Sequence, residues 1–252
     1  MNKEKNKFNF IIASLIIICF ILLIISEIFL FTKIEDIQKN QYKAKALENN
    51  NLLTTLIDNK KNATLTLAIA ISQFEIIQKA LEQNDYSHIN LNTFSSQLAQ
   101  NSDYKNIWIQ VINKEGISKY RSWIDKKDDS LVNIRDDLRI MLKNPHIMSS
   151  ISVGLFDMTF KSMVPLFKDD TFIGIVEVVS HFNSITKHLQ RDGIMPLILV
   201  NKKYTPQLIK PLTNLFIDEY YVANLDIPQE IVTFVQTHKA ETFWDKSHYM
   251  IK

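Results

Sequence analysis

The apolar run Phe8–Phe31 constrains this chain more than any other feature. As a helix rising 1.5 Å per residue, it matches the hydrocarbon thickness of a bilayer. No Gly or Pro occurs before Gly116, so no chain breaker ends the helix where the apolar run ends. The helical pattern is expected to continue unbroken to about Gln83. In its outer half, Leu53, Leu56, Lys60, Ala63, Leu67, Ala70, Phe74, Ile77 and Leu81 recur at alternating steps of three and four. That is a heptad-like seam interrupted by one charge. Positions 33–83 as a single helix would extend roughly 75 Å. Leu53 to Ala63 is the part expected to pair in a homodimer, and Leu67 to Ile77 the part expected to pack on the chain's own sheet.

Lys3, Lys5 and Lys7 precede the apolar run and place the N-terminus in the cytoplasm. No small-x-small cleavage site follows, so the run reads as an uncleaved anchor rather than a removed signal peptide. Everything after Thr32 is expected outside a bacterial inner membrane, in the periplasm. No second run long enough to span occurs before Lys252, so the chain is expected not to return. The lone Cys19 lies within the apolar run and cannot build a disulfide framework. A net charge of +2 with interspersed signs offers no nucleic-acid surface.

Beyond the long helix the period changes. A short helix carries Leu91, Phe94 and Leu98. Ile107, Ile109 and Val111 then alternate as a strand, Asn113–Gly116 turns, and Ile117–Ile124 returns. Asp128-Asp129-Ser130 is suited to cap a helix bearing Leu131, Ile134, Leu138 and Met141. Three strands follow, Met148–Val153, Phe156–Phe167 and Thr171–Ser180, then a helix from Asn183 to about Gln190. The pattern is α+β: a five-stranded antiparallel sheet with flanking helices. Pro196–Val200 begins a smaller module with helices expected at Gln207–Leu215 and Gln229–Thr237 and a strand at Thr242–Ile251.

This organisation, with Trp108-Ile-Gln-Val-Ile-Asn-Lys-Glu-Gly116, Tyr120-Arg121-Ser122-Trp123, Asp157-Met-Thr-Phe-Lys161-Ser-Met-Val-Pro165 and Phe172-Ile-Gly-Ile-Val-Glu177, resembles the Cache sensors. These are the PAS-like extracytoplasmic domains of bacterial histidine kinases, diguanylate cyclases and chemoreceptors. The resemblance is to the double-Cache type and divides the chain into five parts. Residues 1–7 are a cytoplasmic tail, 8–31 the transmembrane helix and 32–83 a stalk helix. Residues 84–192 form a membrane-distal sensor module, and 193–252 a partial or small membrane-proximal one. It implies binding of a small solute and transmission through the long helix. Such receptors pass through a second span into an output domain. None occurs up to Lys252, so the signal is expected to leave through a partner or through sequence beyond this chain.

Catalytic and metal-binding signatures are absent from the sequence. Four glycines form no phosphate loop, and the six histidines show no ligand spacing. No enzyme activity and no cofactor are therefore expected. Binding residues are easier to nominate. Arg121 offers a planar fork for a carboxylate, and Trp123 on the same strand face offers a flat wall. Trp108 is a second wall candidate. Asp157 and Lys161 share the polar face of their strand, turned to water or to a polar pocket. Glu177 lies among apolar neighbours and needs a partner, for which Lys161 is the candidate. His181 ends that face. The expected ligand is an organic acid or amino acid. The competing expectation is a single-span envelope assembly or scaffolding protein with no small-molecule ligand.

Overall fold

The structure, a computed structural model, describes residues 2–102, 104 and 106–237, with side chains from Leu15 onward. The strand expected at Thr242–Ile251 and the side chains of Lys3, Lys5 and Lys7 lie outside the described residues. The chain divides into two units, residues 1–52 and 53–252. Helix α1 runs Asn2–Ser72. In the first unit its apolar residues are exposed, Phe20 by 65% and Phe31 by 70%. Its most apolar window has a mean hydropathy of 2.9 with nothing buried, so this helix is long and apolar enough to cross a membrane.

The second unit is α+β, with helices flanking an antiparallel sheet. Its elements are the end of α1, then α2 (Glu75–Gln83), α3 (Asn92–Asn101), β1 (Trp108–Asn113), β2 (Ile117–Arg121), β3 (Asp129–Ser130), α4 (Asp136–Lys143), β4 (Met148–Val153), β5 (Met158–Lys168), β6 (Thr171–Ser180) and α5 (Asn183–Arg191). The sheet has six strands in the order β3-β2-β1-β6-β5-β4. The six register pairs of β1 with β6, Trp108 with Val179 through Asn113 with Gly174, fix which residues share a face. Ile109, Val111, Val164, Val176 and Val178 face α1 and α2, burying Ala68, Ile71, Ile77 and Leu81. On the opposite face Ile112, Met163 and Ile175 bury Leu131, Leu138 and Met141 of the α4 region.

Three expectations are corrected here. The long helix does not run unbroken to Gln83. It ends at Ser72, with Phe74 extended at φ −72°, ψ 115°. No Gly or Pro causes the break. Phe74 instead stacks edge-on against Phe94 at 5.7 Å, and α2 turns so that Ile77, Ala80 and Leu81 reach the core. Packing overrides local propensity at this point. Second, the buried stripe of α1 is Ile57, Lys60, Thr64, Ala68 and Ile71, one step round the helix from the expected seam, and Ala70 is exposed. Small side chains let α1 approach closely, and Thr64 Oγ1 lies 2.7 Å from Ser180 Oγ. Third, Asp129 and Ser130 pair with Ser118 and Ile117 as β3 instead of capping a helix, and α4 begins only at Asp136.

Gly174 is glycine for space. A Cβ there would lie 2.7 Å from Ile112 O on the neighbouring strand and 2.5 Å from a Leu81 methyl. Gly174→Ala must push β1 from β6 or α2 from the sheet. A loss of about 2–3 kcal/mol, read by chemical denaturation, is the expected result.

The C-terminal portion forms a three-stranded sheet, β7 (Leu199–Val200), β8 (Phe216–Ile217) and β9 (Tyr220–Val222), in the order β7-β9-β8. The helix expected at Gln207–Leu215 is absent. Lys202–Gln207 is a 3-10 turn containing Pro206, and the following segment is irregular through Pro211. Helix α6 (Gln229–Thr237) forms as expected. Val200, Tyr221 and Ala223 pack against Val153 of β4, with Met158 alongside.

Candidate ligand-binding site

The face of the sheet that meets α4 is apolar only at one end. At the other, Trp108, Gln110, Arg121, Thr159, Lys161 and Glu177 point the same way, because each sits at an even step from the others along its own strand or across the register. Leu131, Ile134 and Arg135 close one side, and the β4–β5 turn Gly154–Asp157 closes another. Together they surround a cavity of ≈ 50 Å³. That is room for a few waters, or for a solute of about the same number of heavy atoms. A wider open cleft beyond it, ≈ 840 Å³, shares Arg121 and Trp123 with the cavity, so these two residues partition them.

The wall is aromatic. Trp108 and Trp123 stack at 4.7 Å and 8°, and Phe156 stands perpendicular to both. Trp108 and Trp123, both nominated from the sequence, line this cavity. The sequence expectation opens a strand at Phe156, but β5 starts at Met158. Phe156 instead belongs to the turn before β5, where Gly154 N donates to Asp157 O at 2.9 Å.

The floor is a buried network of charges. Arg135, 7% exposed, donates through Nη1 and Nη2 to both oxygens of the fully buried Glu177 (2.8 and 2.5 Å) and through Nε and Nη2 to Asp137 (3.0 and 2.7 Å). Burial opposes the charge on Arg135, but Glu177 and Asp137 outweigh it and hold its pKa above the ordinary arginine value. Burial likewise works against Asp137, yet Arg135 keeps that carboxyl well below the usual range. Glu177 is thus paired with Arg135, and the Lys161 partner expected from sequence is corrected. A cation at the start of a helix opposes the helix dipole. The sequence reading, which began this helix at Asp128–Ser130, did not show Arg135 at its start.

Arg121 lines the cavity with its fork already engaged. Nη1 and Nη2 donate to Asp129 at 2.6 and 2.9 Å, and Nη1 also donates to Lys126 O at 2.7 Å. Gln110 joins the two arginine clusters. In the orientation that satisfies both ends of its amide, Gln110 donates to Glu177 Oε2 at 2.9 Å and accepts from Ser118 Oγ and Arg121 Nε.

Lys161 and Asp157 are different. Lys161, 5% exposed, donates to Ser152 O at 2.6 Å and Ser152 Oγ at 2.9 Å, and among the described residues it forms no ion pair. Burial lowers its pKa to about 8. Asp157 accepts from its neighbour's amide, Met158 N, through Oδ1; among the described residues its buried Oδ2 makes no hydrogen bond of normal geometry, and the Tyr221 hydroxyl is the donor that acts on this carboxyl. Burial raises Asp157 to about 7. His181 does not line the cavity. It sits edge-on to Trp108 at 4.4 Å, with Nδ1 2.9 Å from Asn106 O and Nε2 3.8 Å from Asp157 Oδ2. Burial lowers its pKa to about 4. Trp123 Nε1 is also buried without an acceptor.

The turn that carries Phe156 and Asp157 is held from behind by the C-terminal module. Ile209 N and Lys210 N donate to Leu155 O at 3.0 Å, and Leu212 N donates to Phe156 O at 2.8 Å.

No family model and no curated protein matches this chain. Solved structures similar to it are sensor domains. The sensor domain of the Vibrio cholerae histidine kinase DctB is 15% identical over 60% of this chain and 61% of that one, with a TM-score of 0.43. The extracellular domain of the putative histidine kinase vpHK1S-Z8 is 16% identical over 80% of each chain, with a TM-score of 0.46. The sensory domain of the Campylobacter jejuni chemoreceptor Tlp3 (CcmL) is 15% identical over 65% of this chain and 70% of that one, with a TM-score of 0.42. This chain spans less than two thirds of the DctB sensor domain.

Proposed function

We propose that this protein is a membrane-anchored sensor of the Cache type. Its soluble unit lies outside the cytoplasmic membrane and binds a small organic acid or amino acid in the cavity between the sheet and the α4 region. The observation that carries this reading is the pairing pattern in that cavity. Both arginines are saturated by carboxylates of the chain, whereas Lys161 has no carboxylate partner and Asp157 has a bare oxygen. An opposite-signed, unpaired pair deep in a folded domain costs free energy unless something complements it. A pocket lined by two tryptophans and a phenylalanine with a few convergent polar groups is the ordinary form of a solute site.

Binding would draw the Gly154–Asp157 turn and the sheet together, and the sheet packs directly on α1 through Ala68 and Ile71. A solute biases that packing only by binding one arrangement more tightly than another. Homodimerisation along α1, with the N-terminus in the cytoplasm, completes the proposal.

The test is a thermal-shift panel of small amino acids and organic acids on the full chain in detergent. At least one is expected to stabilise the protein, by about 2.7 kcal/mol at a hundredfold excess over its Kd. Lys161→Met should remove the shift without unfolding the protein. Silence across the panel, or a shift that Lys161→Met leaves intact, contradicts the proposal.

A further inference from the structure

Three of the chain's four glycines are fixed by the fold. Gly116 and Gly193 hold φ of +76° and +74°, where a side chain is strained, and a Cβ on Gly174 would strike the neighbouring strand. Gly154, in the turn between β4 and β5, has no such reason. Its φ lies outside the left-handed range, and a Cβ built on it would meet nothing closer than 3.8 Å. The fold has room for a methyl there. What that methyl would touch is Lys161, whose Cε and Nζ both lie 3.8 Å from it. Both residues line the cavity.

The Lys161 ammonium has three hydrogens to give. Two go to Ser152 O at 2.6 Å and Ser152 Oγ at 2.9 Å, and among the described residues the third has no acceptor. Ser152 Oγ passes its own hydrogen to Asp137 Oδ2 at 3.3 Å, so that carboxylate reaches the ammonium only through the hydroxyl. Asp129, Asp137 and Glu177 are instead bonded directly to Arg121 and Arg135. A buried ammonium with a hydrogen unspent favours an acceptor that carries negative charge.

We infer that Gly154 is the specificity-determining residue of this cavity: the slot left by its missing side chain seats the acid end of a solute against Lys161 Nζ and limits how bulky that end can be. The inference rests on the sensor reading above and narrows it to acids and amino acids with little or no substituent beside the carboxylate. The cavity of ≈ 50 Å³ is closed on another side by the rings of Trp108, Trp123 and Phe156. A methyl on residue 154 and a methyl beside the carboxylate of the solute therefore compete for one space.

Melting curves and calorimetry of the full chain in detergent test this with two homologous pairs, acetate with propionate and glycine with L-alanine. Gly154→Ala should melt no lower than the wild type, because alanine restricts the unfolded chain and fits the folded backbone. For the pair that binds, this variant should weaken the larger member about tenfold or more, the usual effect of one misplaced methylene in a pocket, and the smaller member far less. Gly154→Val should bind neither member.

Equal weakening of both members, or none, overturns the inference. So does a Gly154→Ala protein that melts well below the wild type, since the glycine would then serve the fold. If neither pair binds the wild type while a larger acid does, the slot sets no size limit, and the inference falls with the sensor reading still standing. If no acid or amino acid binds, both fall.

Discussion

Asp157→Asn should give a protein that is more stable than the wild type at pH 8 and blind to its solute. Burial raises the Asp157 carboxyl from 3.8 to about 7. A carboxyl whose folded-state pKa is raised contributes most below its unfolded pKa, and that contribution is lost as pH climbs through the folded value. At pH 4 the wild type therefore carries almost no penalty. By pH 8 it carries most of about 4 kcal/mol, the three-unit difference converted at 1.36 kcal/mol per unit. Asparagine is neutral at every pH, and its amide can donate to His181 Nε2. The stability gap between variant and wild type, from chemical denaturation of the full chain in detergent, should open from near zero at pH 4 to about 3–4 kcal/mol at pH 8. A gap that does not change with pH would contradict the placement of an unpaired carboxyl there. On the proposed reading, stability is given up at this residue for a binding group, as is common at functional sites.

Arg135→Ala should have the largest effect in the opposite direction. Removing the guanidinium leaves Glu177, 0% exposed, with Gln110 as its one remaining side-chain hydrogen-bond partner among the described residues, and strips Asp137 of its paired cation. Breaking a buried pair from one side costs about 3–5 kcal/mol because a charge is left uncompensated. Arg135→Met combined with Glu177→Gln should recover part of that loss, since both charges are then gone and the volumes are similar. Denaturation midpoints of the two single variants and the double variant measure the coupling. Additive losses would mean that the contact in the floor of the cavity contributes nothing to stability.

The strands that build the floor were legible because their side chains alternate. Trp108, Gln110 and Ile112 against Ile109 and Val111 define two faces from sequence alone, and Lys161 follows from the same alternation on β5, whereas Trp123 lies just past β2 and Asp157 in the turn before β5. The partners were not legible. Arg135 reaches Glu177 across a separation of 42 residues, and no local pattern encodes it. Asp129 was read as part of a helix cap, so its capture of Arg121 was hidden behind a secondary-structure error. The end of α1 was misplaced for a related reason. No residue at 72–74 breaks a helix by itself, and the bend exists only because Phe94 and the sheet are there to receive Phe74, Ile77 and Leu81. The docking stripe on α1 was displaced because close approach is made by Thr64 and Ala68, whereas a hydrophobic count favours Leu67 and Leu56.

The claim on which the rest depends is that a solute occupies the cavity walled by Trp108 and Trp123. Indole N–H resonances of the nitrogen-15-labelled full chain, assigned through Trp108→Phe and Trp123→Phe, read that wall directly. Trp123 Nε1 is buried without an acceptor and Trp108 stacks on it, so a bound solute changes the surroundings of both. Any amino acid or organic acid that raises the melting temperature should shift both resonances, and the shifts should be lost in Asp157→Asn. A stabilising solute that leaves both indoles unmoved would bind elsewhere, and the cavity would then be an internal feature of the fold with no part in sensing.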